Sequence, residues 1–335
     1  MCTSLQLRAD DGTVVVGRTM EFPDAMSARI SAVPRGTTGV GVTPTGENGR
    51  QWTSTHGFVG VNALGHADWL TDGMNEKGLW AGLLYMPDAC HYESADGKDP
   101  ADIMAIVNVV AYLLGTCADL AEVRTAMDGV VVWAMEVPGF GFAPPAHIVL
   151  HDAGGNAAVI EWRPEGMTVT DNPIGVATNA PFLDWHLTNL RNYMNLKVTQ
   201  PDPITVSGVT LAPLGVGASM LGMPGDPTPP ARFVRATAAV ASSRPPKDGK
   251  TAEMAVFHIM NTFDIPEGLV MEGPGDAIPE LTEWTAIANL TDRRYILRGY
   301  DSPNPVVIDV GSTSFDGGEI RQTDIPTDTF RSLTV

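Results

Sequence analysis

Two groups at the start of this chain could together make an activated nucleophile. The sequence opens MCTSLQLRADDGTVVVGRTMEF. The residue after Met1 is small, which permits removal of Met1, and Cys2 would then carry a thiol and a free α-amino group. A thiol with an ordinary pKa of about 8.5 needs a base near neutrality, and an α-amino group with a pKa of about 7.7–8.0 suits that task. Carried on one residue, the two need no further alignment. The chemistry implied is nucleophilic catalysis by a thiolate whose base is its own amine. A small residue at a strand start is the plain alternative for Cys2, so its surroundings must decide.

Those surroundings begin with a hairpin. Residues 3–8 alternate, Asp10-Asp11-Gly12 turns, and Thr13–Arg18 is rich in valine. An antiparallel pair turning there brings Arg18 close to Cys2. Short strands follow over residues 28–70, and Leu79–Tyr85 reads as a buried strand. The stretch DPADIMAIVNVVAYLLGTCADLAEVRTAMDG predicts two helices. The first spans roughly 101–114 and is stopped by Gly115. The second starts at a near capping box of Thr116 and Asp119. A strand meander comes next, with turns at Gly154-Gly155 and Glu165-Gly166. PFLDWHLTNLRNYMNL, PPARFVRATAAVASS and TAEMAVFHIMNTF read as helices, the second with proline in its first turn. RRYILRGYD and PNPVVIDVG return to strand. Strand blocks separated by helix blocks indicate an α+β fold with antiparallel sheets, not an alternating βα fold.

Composition narrows the function. The 335 residues are 44% hydrophobic and 18% charged, as in an ordinary globular protein, and on length alone one large domain or two smaller ones are possible. A net charge of −18 argues against nucleic acid or an anionic membrane as partner. No apolar run approaches the roughly 18 residues of a membrane span. No secretory leader is evident, although a mature form with its leader removed stays open. Cys2, Cys90 and Cys117 are too few and scattered for a disulfide framework, so a reducing compartment, the cytoplasm, is expected. HExxH, GxSxG, Walker and paired CxxC motifs are absent. His147 and His151 share a strand face but lack a third ligand and read as structural. No metal or organic cofactor is called for.

Longer blocks carry a resemblance. The N-terminal stretch, DGMNEKGL, GFAPPAHIVLHDAGGNAAVIEW, IGVATNAPFLDWHLTNLRNY, LGMPGDPTPPARFVRA and FHIMNTFDIPEGLV resemble, in order, the choloylglycine hydrolase family. That family contains bile salt hydrolases and penicillin V acylases. The resemblance implies the N-terminal nucleophile fold, a four-layer αββα sandwich with two stacked antiparallel sheets, as one domain over residues 1–335 with Met1 removed. It implies Cys2 as nucleophile, Arg18 beside the thiol, Asn179 in ATNAP and Arg232 in ARFVRA as catalytic residues, and a homo-tetramer. Glu21 stands where the family usually has Asp, the carboxylate that orients the terminal amine. Tyr85, in GLLYMP, stands where bile salt hydrolases have the oxyanion-hole asparagine. Its backbone N–H could still donate, and its ring favours the penicillin V acylase side. Met20, Phe22 and Phe58 are expected to line an apolar acyl pocket. The alternatives are a bile salt hydrolase, an acyl-homoserine-lactone acylase, and a non-catalytic binding protein on the same fold. Retention of Met1 would favour the last.

Overall fold

The computed structural model describes residues 1–23, 26–138, 140–275, 277–327 and 330. Two antiparallel sheets hold the strands that matter for the site. In chain order these are β1 (Cys2–Arg8), β2 (Val14–Phe22), β3 (Arg29–Val33), β4 (Phe58–Ala63), β5 (His66–Asn75), β6 (Trp80–Tyr85), β7 (Ala146–His151), β8 (Ala157–Arg163), β9 (Gly166–Asp171), β10 (Val270–Glu272), β11 (Ile278–Asn289), β12 (Arg294–Gly299), β13 (Val306–Asp309) and β14 (Arg321–Asp324). The six-stranded sheet runs β1-β2-β11-β12-β13, with β10 on β11. The eight-stranded sheet runs β9-β8-β7-β6-β5-β4-β3-β14.

The helices are α1 (Ile106–Thr116), α2 (Leu120–Met127), α3 (Leu183–Asn189), α4 (Pro229–Ser242) and α5 (Gly249–Met260). Helices α4 and α5 cover the outer face of the six-stranded sheet, and α1 covers the other. The result is the expected four-layer αββα sandwich of stacked antiparallel sheets. One apolar cluster joins the inter-sheet space to the α4/α5 layer through Val16, Val61, Val149, Phe233, Val256 and Met260. A second lies under α1 and α2. Both follow from sheets whose two faces are covered, so that neighbouring side chains along one strand enter different layers.

The predicted hairpin is present, with Ser4 opposite Arg18 and Cys2 opposite Met20. Both side-chain pairs share the face toward the second sheet. On the other face, a Cβ at Gly17 would lie 2.5 Å from Val256 Cγ1, so glycine lets α5 close onto β2. The first predicted helix starts later than residue 101. Pro100–Asp102 forms a single 3-10 turn, and Ile103–Ala105 pairs in parallel with Val131–Trp133. Burial of Ile103, Met104 and Ala105 in that pairing outweighs their helical propensity. Gly115 is not a stop: α1 runs through it to Thr116. Its missing Cβ instead admits Ser54, whose Oγ would lie 2.6 Å from it. Asn75 holds that helix end, its Nδ2 donating to the Leu114 and Cys117 carbonyls at 2.9 and 2.7 Å. The N-cap of α2 is Asp119, accepting from the amides of Ala121 and Glu122, and the Thr116 hydroxyl takes no part, turning back to Tyr112 O.

Candidate active site

Cys2 is buried at the inter-sheet end of β1, and the hairpin register sets its first neighbours. Its Sγ lies 3.7 Å from Met20 Sδ and 3.6 Å from Arg18 Nη2. Arg18 Nη2 also donates to Leu83 O at 3.2 Å, while Nη1 is paired with Asp72. That ion pair is fully buried. Asp72 also accepts from the Tyr295 hydroxyl and from Trp284 Nε1, at 3.3 Å for the indole. Burial alone would drive the Arg18 cation toward neutrality. The Asp72 carboxylate and the Cys2 thiol more than offset this, and its pKa rises. Burial pushes the Tyr295 phenol well up, so it stays a donor to Asp72.

A second arginine approaches from the opposite layer. Arg232, on α4, donates through Nε to Pro227 O at 2.7 Å. Its Nη1 reaches Cys2 O and Thr3 Oγ1, and its Nη2 reaches Asn179 Oδ1 at 2.6 Å. Asn179 Oδ1 accepts from the Cys2 backbone nitrogen as well, at 3.0 Å. With two donors on that atom the amide orientation is settled, and Nδ2 points the other way, to Tyr85 O at 2.6 Å.

The Asn179 segment is pinned to β1 by reciprocal bonds between Ser4 and Ala177. It is held from behind by two buried histidines. His147 Nε2 meets Thr178 O at 3.1 Å, and His186 Nε2 meets Asn179 O at 2.9 Å. Burial lowers the pKa of both, His147 to about 4. Each is therefore a neutral donor to a carbonyl. His151 is likewise buried, on Gln6 Oε1.

Glu21 is buried on the helix side of β2. Its Oε1 accepts from Thr282 Oγ1 at 3.1 Å, and Oε2 has no partner among the described residues. Burial raises the Glu21 pKa against the opposing pull of the N-terminal ammonium and Arg232. Met1 extends β1 by one residue: Glu21 N donates to Met1 O at 2.9 Å, and the Met1 ammonium donates to Glu21 O at 2.7 Å. That ammonium also pairs with the Glu280 carboxylate at 3.2 Å.

The thiol opens on a narrow apolar cavity, about 60 Å³ of it open to a water-sized sphere. Its walls include Met20, Phe22, Leu64, Trp69, Leu83 and Phe140, together with Glu21 and Tyr85. Met20 and Phe22 thus stand where the sequence reading put them. Phe58 does not. It opens β4 with its ring turned outward, beneath α1 in the second apolar cluster, while Val59 and Val61 face inward. The period of two along a strand puts it in the wrong layer. Tyr85 enters through its ring and its carbonyl.

Cys2, Arg18, Glu21, Tyr85, Asn179 and Arg232 therefore converge on one place. Asp72, Glu280, Trp284 and Tyr295 were missed. Asp72 opens the DGMNEKGL block and could have been singled out there, but Trp284 and Tyr295 sit in strand patterns where an aromatic residue signals only core. The described residues hold no cluster of three or more His, Cys, Asp or Glu suited to a metal ion. None of their helices is long and apolar enough to cross a membrane.

Known proteins resemble this chain in sequence and in fold. The bile salt hydrolase/transferase of Clostridium perfringens is 29% identical to this chain, covering 96% of each. An uncharacterized protein of Paramecium bursaria Chlorella virus 1 is 30% identical, covering 91% of this chain and 99% of its own. Among solved structures, a mutant conjugated bile acid hydrolase from Clostridium perfringens superposes with a TM-score of 0.88 at 26% identity over 100% of both chains. A penicillin V acylase from Agrobacterium tumefaciens gives 0.78 at 21% identity over 97% of this chain and 92% of its own, a likeness of fold alone. The profile of the linear amide C–N hydrolases matches residues 2–322, and the chain belongs to that group, the choloylglycine hydrolase family.

Proposed function

We propose that this linear amide C–N hydrolase is a single-domain cysteine N-terminal nucleophile enzyme, active once Met1 is removed and selective for a compact apolar acyl group of the penicillin V acylase kind. One observation carries the reading. The sulfur of Cys2 faces an apolar cavity and an arginine, while the nitrogen of the same residue lies 3.0 Å from Asn179. In the reaction the free Cys2 amine takes the thiol proton and the thiolate adds to the amide carbonyl. Asn179 Nδ2 bears one N–H beyond that given to Tyr85 O, and with the Tyr85 N–H it donates to the oxyanion. The Cys2 ammonium then protonates the leaving nitrogen as the C–N bond breaks. Water cleaves the thioester, with the amine again as base. Arg18 favours the thiolate. Arg232 orients Cys2 and Asn179. The unpartnered Glu21 Oε2 takes up the newly formed ammonium.

The narrowness of the cavity favours a flat ring over a fused steroid body. A hydrolysis panel of phenoxyacetyl, bile-acid and acyl-homoserine-lactone amides tests this, on protein shown by intact mass to lack Met1. The phenoxyacetyl amide is expected to turn over fastest. A faster bile-acid amide would replace the acyl assignment, and full activity with Met1 in place would overturn the amine as base. The three unbridged cysteines support a reducing compartment, the cytoplasm.

A homo-oligomer, a tetramer by family likeness, is also part of this proposal. The hairpin of Ile204–Val206 and Val209–Leu211 exposes Ile204, Val206, Val209 and Leu211 fully enough to seat a second copy. Sedimentation of the Val206→Lys variant as a smaller species checks it.

A further inference from the structure

The amine that leaves must depart beside the Cys2 nitrogen, because that nitrogen delivers its proton. In the structure this space holds Met1, which therefore stands in for the leaving group. Its ammonium is separated from the Cys2 nitrogen by only two carbon atoms. It donates to Glu21 O at 2.7 Å and to both oxygens of Glu280, at 3.2 and 3.4 Å.

Glu280 lies on β11 and is 6% exposed, and the Met1 ammonium is the hydrogen-bonding partner the structure gives its carboxylate. Arg232 lies within electrostatic reach, but its nitrogens are directed to Pro227, Cys2, Thr3 and Asn179. Glu272, on the neighbouring strand β10, adds a second negative charge. Burial and Glu280 together raise its pKa, and the N-terminal ammonium opposes them. Both glutamates and Asp88 also act on the Tyr85 phenol at the cavity wall. Loss of Met1 moves the terminal amine back to the Cys2 nitrogen, beside Asn179, and takes the paired ammonium away from the Glu280 carboxylate. A buried carboxylate so left demands a replacement.

We propose that Glu280, with the Glu21 carbonyl, forms a subsite for a cationic nitrogen on the leaving amine, so that the preferred substrates are acylated short diamines or polyamines. This rests on the hydrolytic reading above. A carboxylate or sulfonate at the same place would face Glu280 and Glu272 and is disfavoured.

The test uses Met1-free protein and one acyl group, phenoxyacetyl, on three amines of similar size: 1,2-diaminoethane, ethanolamine and glycine. The expected kcat/KM is highest for the diamine, about tenfold or more above the glycine amide, in line with one partly shielded ion pair. Glu280→Gln should shrink that ratio to within about twofold, and Glu280→Lys should invert it. Reading the ratio cancels any general loss of activity or folded fraction. Hydrolysis of the ethanolamide with no preference for the diamine, or a ratio unchanged in Glu280→Gln, would overturn this subsite alone. Failure to hydrolyse any of the three would overturn it together with the proposed function.

Discussion

Two arginines reach Cys2 from opposite layers, and they are buried in different ways. Arg18 projects between the sheets and is neutralised by Asp72, which Tyr295 and Trp284 hold in turn. Arg232 projects from α4 and hydrogen-bonds to carbonyls, a hydroxyl and an amide oxygen, but to no carboxylate. Burial lowers the pKa of both. For Arg18 the Asp72 carboxylate reverses the shift, while for Arg232 the more distant Glu21 and Cys2 do not. Burying a guanidinium on an ion pair fixes a charge beside the sulfur. Burying one on fixed dipoles fixes atoms, here the Cys2 carbonyl and the Asn179 side chain. One layer supplies the field at the thiolate and the other the geometry at the oxyanion.

The most severe break removes the target that both arginines share. Cys2→Ser should keep the fold and lose at least 10²–10³-fold in kcat, since a hydroxyl is far less acidic than a thiol and even one oxyanion donor is worth about that much. Retention of more than about a tenth of the rate would remove Cys2 from the mechanism.

Breaking one layer at a time sharpens the contrast. Asp72→Asn leaves the Arg18 cation buried without its counter-charge, and about 3–5 kcal/mol of stability should be lost. The rate of thiol alkylation should also change its pH profile, because Arg18 is freed to move. Arg232→Lys cannot span Cys2, Thr3 and Asn179 together. It should cost about tenfold or more in kcat with a smaller loss of stability, and the alkylation profile should stay in place. Equal stability losses in denaturant titrations would erase the distinction between the layers.

Acid should loosen the Asn179 side before the Arg18 side. His147 carries a folded-state pKa of about 4 against an ordinary 6.5. Its neutral form is the one folded in, so its contribution is complete above pH 6.5 and is lost as pH falls toward 4. The thermal midpoint should drop by several degrees across that window. A His147→Gln variant, which can still donate to Thr178 O, should flatten the slope.

The smallest effect concerns Glu21. If its carboxylate receives the Cys2 ammonium, Glu21→Asp should be tolerated within about twofold, while Glu21→Gln should fall by about tenfold for want of charge. Near-wild-type kcat for both would remove Glu21 from the site.

Much of this site was legible along the chain. The alternation after Cys2 and the turn at residues 10–12 determine which residue stands opposite which. Arg18 therefore faces the same layer as Cys2 whatever else the chain does. The paired prolines at the start of α4 and the Asp119 cap of α2 are local chemistry of the same sort. Two of the apolar wall residues, Met20 and Phe22, follow from the same strand period. The start of α1 was not legible, because the buried pairing of Ile103–Ala105 with Val131–Trp133 overrode helical propensity from a distance.

Only the tertiary structure decided the rest. Phe58 and Val59 are neighbours in sequence but lie in different layers, and nothing local says which layer holds substrate. Asp72, Trp284 and Tyr295 meet because β5 of one sheet lies over β11 and β12 of the other. Glu280 meets the N-terminus across 279 positions of sequence. Types and spacings along a strand specify what a residue can do and which face it takes. Which faces are pressed together, and therefore which charges must be paired away from water, is set by how the sheets stack.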